Sequence, residues 1–147
     1  MDFNVNRSFF APDVVANAHD ELLRVVTIQT TISPTPLEDA TLNAWPSRQW
    51  QQITPATVVN ISAVAYFAGR ELRRRIGDDV PIGLICSYLS GTPIEPWLPR
   101  DASEALHLNC TDTNPCSPLF NGMIYPLLQY NIASHSWWQG QRTSNHH

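Results

Sequence analysis

The residues able to carry chemistry are a few serines, five histidines and three cysteines. Ser87 and Ser90 follow an apolar run, where a nucleophilic serine can lie, but neither is flanked by the small residues of a nucleophile elbow. No histidine stands at a spacing that forces contact with an aspartate, so all are predicted to lie at the surface. These are His19, His107, His135, His146 and His147. Spacing alone therefore predicts no triad, zinc site or phosphate-binding loop.

The cysteines leave two interpretations open. Cys110 and Cys116 lie six residues apart in a loop, so they form a disulfide in an oxidising compartment or remain two free thiols. Cys86 ends an apolar run and is predicted to be buried. Three tripeptides match the acceptor pattern for N-glycosylation, and they begin at Asn6, Asn60 and Asn109.

Composition excludes several classes of protein. The 147 residues suffice for one domain, and 43% hydrophobic with 15% charged residues argues against a disordered chain. The net charge of −4, with all nine Lys or Arg positions being arginine, argues against a nucleic-acid partner. No apolar run approaches the ~20 residues of a membrane span. The N-terminus lacks the basic start and apolar stretch of a secretory signal.

The first half of the chain contains one predicted strand and one predicted helix. Residues 22–29 are apolar and β-branched, which predicts a buried strand. Residues 30–56 have no apolar period and are interpreted as a long connection. A helix is predicted over 62–75, with Ser62 as its N-cap and Gly77 as its stop. Its buried stripe is expected to contain Val64, Phe67 and Leu72.

The second half begins with the run 81–87, which is typical of a buried parallel strand. A helix followed at once by such a strand is half of a βαβ unit. The Gly- and Pro-containing loop 88–97 follows the carboxyl end of this strand, where α/β sheets bind ligands. Residues 119–130 are predicted as a helix and 131–140 as a further strand.

Four segments together resemble a known family. They are ISAVAYFAGREL (61–72), PIGLICSYLSGTPIEPW (81–97), LFNGMIYPLL (119–128) and WWQG (137–140). Their order and spacing resemble the sialate O-acetylesterases of the SGNH/GDSL hydrolase superfamily. The resemblance implies an α/β fold, a three-layer sandwich with a central parallel sheet. Residues 1–140 would form an incomplete domain of this kind, followed by a divergent tail over 141–147.

The resemblance also implies a reaction. These esterases remove O-acetyl groups from sialic acids with a Ser nucleophile, a His base and an orienting Asp, without metal or organic cofactor. The implied partner is an O-acetylated sialic acid or a related acetylated sugar. The implied location is lysosomal or secreted.

Matching motifs carry roles to individual residues. Gly91 stands at the second glycine of the family's W-G-G-T and Gln139 at the glutamine of W-Y-Q-G-E, so both are expected to help form the oxyanion hole. A glycine there is expected to let the backbone N–H approach the oxyanion without a Cβ in the way. Four further positions are expected to contact substrate: Ser90, Thr92, Trp138 and Gly140. Ser90 replaces a family glycine, and Gln141 replaces a family glutamate.

The family's nucleophile lies in a Gly-Gln-Ser-Asn-Met motif directly before a segment like this chain's start, and its Asp and His come far downstream. We therefore expect the triad to be absent and the chain to be inactive alone. An open apolar sheet edge is expected to make it marginally stable and prone to aggregation. Two alternatives remain: a non-catalytic carbohydrate-binding or partner-modulating relative, and a structural scaffold without a ligand.

Overall fold

The computed structural model of the protein describes residues 3–43, 48–77, 79–108, 110 and 116–139. These residues divide into two compact units. Unit 1 falls within 1–28 and 42–88, and unit 2 within 29–41 and 89–147. The described ranges contain three strands and four α-helices, which confirms the α/β class.

Unit 1 contains a small mixed sheet of β1 (Asp20–Thr27), β2 (Gln51–Ile53) and β3 (Ile82–Cys86). The strand order is β2-β1-β3, with β3 parallel and β2 antiparallel to β1. The predicted strands at 22–29 and 81–87 are confirmed within two residues. The prediction of a connection throughout 30–56 is wrong at β2, because a strand of three residues is too short to show an apolar period.

Helix α3 (Ala63–Ile76) lies in the connection between the parallel strands β1 and β3, which makes a βαβ unit. Two shorter helices, α1 (Ala11–Ala16) and α2 (Pro55–Val58), precede it. Ser62 and Gly77 are its caps, as predicted. The predicted buried stripe is correct in part: Phe67 packs half-buried against the core, whereas Leu72 is 43% exposed. The fully buried positions include Tyr66 and Gly69. Glycine at position 69 lets the helix approach the sheet closely. A Cβ at Gly69 would lie 2.7 Å from Leu84 Cδ1.

Arg73 fastens the end of α3 to the start of β1. Its Nε donates to Asp20 Oδ2 at 3.1 Å, and its Nη1 donates to the carbonyls of Gly77 and Val80 at 3.0 and 2.6 Å. The Arg73 side chain is only 11% exposed. Arg74 instead pairs with Glu71 at the surface, where its side chain is 70% exposed. Arg73 therefore links α3 to β1, whereas Arg74 bonds to a residue of its own helix.

We expect Arg73→Ala to lower the free energy of unfolding by about 2 kcal/mol, because it leaves Asp20 without its partner in a partly buried place. Arg74→Ala removes an exposed, solvent-screened ion pair and is expected to leave the free energy of unfolding nearly unchanged. Urea denaturation of the two variants measures the difference. Equal losses would show that Arg73 contributes no more than an ordinary surface charge.

Unit 2 contains a 3-10 turn (Glu95–Trp97), helix α4 (Arg100–Ala105), a π-helical turn (Phe120–Ile124) and a 3-10 turn (Tyr125–Leu127). The helix predicted over 119–130 is thus a π turn followed by a 3-10 turn, the latter containing Pro126. The strand predicted over 131–140 is wrong for 131–139, which are irregular and exposed. Residues 140–147 lie outside the described ranges.

The segment 29–41 is held in unit 2 by the region around the π turn. Ser33 donates its backbone N–H to the carbonyl of Pro118, and the Asn121 side chain donates to the carbonyl of Ser33 at 3.3 Å. The carbonyl of Asn121 in turn accepts from the N–H of Leu37 at 3.0 Å. Asn121 is 7% exposed, so these bonds are buried and fix the segment's path.

The three cysteines are in two states. Cys110 and Cys116 form a disulfide, so they are not two free thiols. Cys86 is a buried free thiol, as predicted. Burial raises the pKa of the Cys86 thiol to about 11.

We expect native Cys86 to resist thiol reagents at pH 8, because a thiol with so high a pKa is almost entirely protonated and only the thiolate attacks. The same thiol is expected to react at once in denaturant. Timed labelling with a chromogenic disulfide reagent measures both rates. Rapid labelling of the folded chain would contradict the burial.

No helix in the described ranges combines the length and apolarity that crossing a bilayer requires. The same residues contain no group of three or more His, Cys, Asp or Glu side chains arranged to hold a metal ion.

Candidate active site

The turn that contains Gly91 is closed by side-chain bonds in unit 2. Thr92 Oγ1 donates to the carbonyl of Leu89 at 2.8 Å and accepts from Trp97 Nε1 at 2.9 Å. The Trp97 ring is 7% exposed, so it anchors the turn on a buried side chain. The Thr92 hydroxyl is therefore used within the turn.

Gly91 has φ +77°, a left-handed conformation that favours glycine. A Cβ placed there would meet nothing within 4 Å. The structural reason for glycine at this position is therefore the backbone conformation. A side chain here would not clash with other atoms of the chain. Within the described part of the chain, the Gly91 N–H donates to no other group. This donor is free to bind an incoming acceptor.

Gln139 lies beside the same turn. Its Nε2 donates to the carbonyl of Thr92 at 3.2 Å, and its Oε1 accepts from Trp137 Nε1 at 3.4 Å. The Trp137 ring in turn packs edge-on against Trp97, with centroids 5.8 Å apart. Two segments 47 residues apart in the chain thus meet at Thr92. The oxygen and the nitrogen of the Gln139 amide each make a hydrogen bond.

The other predicted site residues have different surroundings. Ser90 is exposed in the turn, and the Trp138 ring is 68% exposed. Gly140 lies outside the described residues. Sequence reasoning missed Trp137, which orients Gln139; its position before Trp138 in WWQG was the available signal. The described histidines His19, His107 and His135 are exposed, as predicted.

Glu95 begins the 3-10 turn that carries Trp97. Its Oε2 is buried and has no hydrogen-bond partner in the described ranges. An unsatisfied buried acceptor costs about 1–3 kcal/mol, so a donor reaching this oxygen would bind favourably.

No protein-family profile matches the chain. It is 28% identical over 162 residues to the sialate O-acetylesterase of Pongo abelii, covering 99% of this chain and 30% of that protein. It is 33% identical over 96 residues to the sialate O-acetylesterase of Homo sapiens, covering 58% of this chain and 18% of that protein.

A solved structure gives the same result. The structure of a carbohydrate acetylesterase from Xanthomonas citri superposes with a TM-score of 0.78 at 30% identity, covering 97% of this chain and 31% of that one. The chain thus spans about a third or less of the length of each of these proteins. Over that segment, the resemblance to the sialate O-acetylesterases that the four motifs predicted is confirmed.

Proposed function

We propose that this chain carries the oxyanion-binding part of an acetylesterase that removes O-acetyl groups from sialic acids or related sugars. The observation that carries the proposal is the hydrogen bond from Gln139 to Thr92, next to the free N–H of Gly91. Ester hydrolysis places negative charge on the former carbonyl oxygen, and oriented N–H donors stabilise that charge.

The reaction is an acyl transfer. A serine oxygen attacks the acetyl carbonyl while a histidine accepts the serine proton, and the histidine then protonates the departing sugar oxygen. Water, deprotonated by the same histidine, attacks the resulting acetyl-serine ester, which releases acetate and restores the serine. Gly91 contributes its backbone N–H to the tetrahedral oxyanion. Gln139 has two amide hydrogens, and the one not bonded to Thr92 is available as a second donor. The Trp138 indole forms a wall for the acetyl group or the sugar.

The triad belongs outside this segment in the proposed mechanism. The sequence contains no Gly-Gln-Ser-Asn run and no nucleophile elbow. The 147 residues alone are therefore proposed to be inactive, since loss of a triad member costs about 10⁴-fold or more in rate. In the same proposal, the sheet of unit 1 is part of a three-layer sandwich.

The proposed location is lysosomal or secreted. The support in this chain is the disulfide between Cys110 and Cys116, because disulfides persist in oxidising compartments.

A chimeric protein tests the proposal. The 147 residues replace the matching segment of the Pongo abelii sialate O-acetylesterase, and hydrolysis of an O-acetylated sialoside is followed by acetate release. We expect turnover by the chimera and none by the 147 residues alone. A chimera that is folded by circular dichroism but does not turn over would contradict the proposal.

A non-catalytic carbohydrate-binding role is the second candidate. It is favoured by Ser90, an exposed hydroxyl in the turn where the family pattern has glycine. Saturable binding of the O-acetylated sialoside to the 147 residues, combined with a folded but inactive chimera, would favour this role. Absence of binding at millimolar concentration would exclude it.

A further inference from the structure

Two of the three tripeptides that match the acceptor pattern for N-glycosylation lie in the described part of unit 1. They are Asn6-Arg7-Ser8 and Asn60-Ile61-Ser62. The third begins at Asn109, which lies outside the described residues. The proposed esterase site uses neither Asn6 nor Asn60, because its residues belong to unit 2.

Backbone hydrogen bonds bring the two asparagines together. The N–H of Val5 donates to the carbonyl of Ile61 at 3.0 Å, and the N–H of Asn6 donates to the carbonyl of Val59 at 3.4 Å. The Val59 carbonyl belongs to the peptide group that also contains the backbone nitrogen of Asn60. Asn6 and Asn60 are therefore neighbours in space, although they are far apart in the sequence.

Both side chains are available for modification. Asn6 and Asn60 are exposed, and within the described ranges neither side-chain amide makes a hydrogen bond. Asn121 differs on both counts, since it is 7% exposed and its amide donates to the carbonyl of Ser33. A bulky group on Nδ2 of Asn6 or Asn60 would break no hydrogen bond of the folded chain and would extend into solvent.

We propose that Asn6 and Asn60 are the acceptors of N-linked glycans on one face of unit 1. In each transfer, Nδ2 of the asparagine attacks the anomeric carbon of a lipid-pyrophosphate-linked oligosaccharide. A carbon–nitrogen bond forms, the bond from that carbon to the pyrophosphate oxygen breaks, the lipid pyrophosphate departs, and the amide loses one proton. This proposal goes beyond the esterase activity and shares with it only the secretory location, for which the Cys110–Cys116 disulfide is the support.

The test uses the full 147-residue chain, with Asn109→Gln to remove the third acceptor, secreted from a eukaryotic host behind a cleavable signal peptide. Peptide-N-glycosidase F leaves an aspartate wherever it removes a glycan, so peptide mass spectrometry identifies the occupied positions. We expect aspartate at both positions, and release of both glycans from the folded chain without denaturant. Unmodified asparagine at either position would overturn the assignment of that residue. Glycans released only in denaturant would contradict the exposed face.

Two further variants serve as controls. Adding Asn6→Gln and Asn60→Gln to the same chain is expected to abolish glycosylation. Ala133→Thr in that chain then creates a new acceptor at Asn131, in the exposed irregular segment 131–139, and is expected to restore one glycan. A glycan at Asn131, with unmodified Asn6 and Asn60 in the parent chain, would refute the proposal, because the host would then have glycosylated this chain and passed over both residues. Failure of this proposal leaves the activity of the chimera untouched, so the two proposals fail separately.

Discussion

Replacement of Gln139 by Ala in the active chimera is expected to lower kcat by about 10²–10³-fold, the usual loss when one oxyanion donor is removed. KM is expected to change little, because the lost hydrogen bond forms only when charge develops on the acetyl oxygen. The amide is held on both sides, by Thr92 and by Trp137. It therefore needs no reorganisation as the charge appears, which is why its loss is costly. Steady-state kinetics with an O-acetylated sialoside measures both constants.

Gln129→Ala is the matched control. Gln129 is another exposed glutamine of unit 2, and its amide donates to the carbonyls of Glu38 and Pro126. Its removal is expected to leave kcat within about twofold, since surface changes usually cost under about 0.5 kcal/mol. A rise in KM with unchanged kcat in Gln139→Ala would contradict the assigned role, because it would place Gln139 in ground-state binding.

Part of the arrangement around the candidate site was predictable, because the residues of the Gly91 turn are close together in the sequence. The Gly91 turn follows an apolar strand, and a parallel strand's carboxyl end is where an α/β sheet places ligands. The pairing of this turn with Gln139 was predictable only from the resemblance, since no pattern in the sequence relates residues 47 positions apart. The hydrogen bond from Trp137 to Gln139 depends on side-chain geometry that residue types do not specify.

The fold was predictable where one apolar period dominates. Strands β1 and β3 and helix α3 have long apolar patterns, and their positions agree with the sequence within two residues. The prediction of the buried face of α3 failed at Leu72 and missed Gly69, because the pattern favours large apolar residues, whereas Leu23 and Leu84 leave little room at position 69. Tertiary packing thus overrode the local signal.

Segments with weak periods were not predictable. The region 131–139 was interpreted as a strand by its position in an alternating α/β chain, but Ser134, His135 and Ser136 interrupt its apolar residues. The region after Leu119 was predicted as a helix. It is helical, but its turns are of the π and 3-10 types. Its π turn keeps Met123 fully buried, a packing demand that local propensity does not contain.

The π turn also brings two backbone segments into contact at Gly122. A Cβ there would collide with the backbone carbonyl of Thr31 and would lie 2.8 Å from its carbon. The hydrogen bonds of Ser33 and Leu37 fix the segment that contains Thr31, so the carbonyl cannot move aside without breaking buried bonds. Glycine is required here by space, whereas at Gly91 it is favoured by conformation.

Gly122→Ala is therefore expected to lower the free energy of unfolding by about 3 kcal/mol, the upper part of the range for an overpacked site. Gly91→Ala adds the same methyl group in open space and is expected to cost only about 1 kcal/mol, from the strain of a left-handed alanine. Urea denaturation of the two variants separates the causes, because identical chemistry is added at both positions. If both alanines cost the same, the close approach of Thr31 to Gly122 does not constrain the folded chain, and the path assigned to residues 29–41 is wrong.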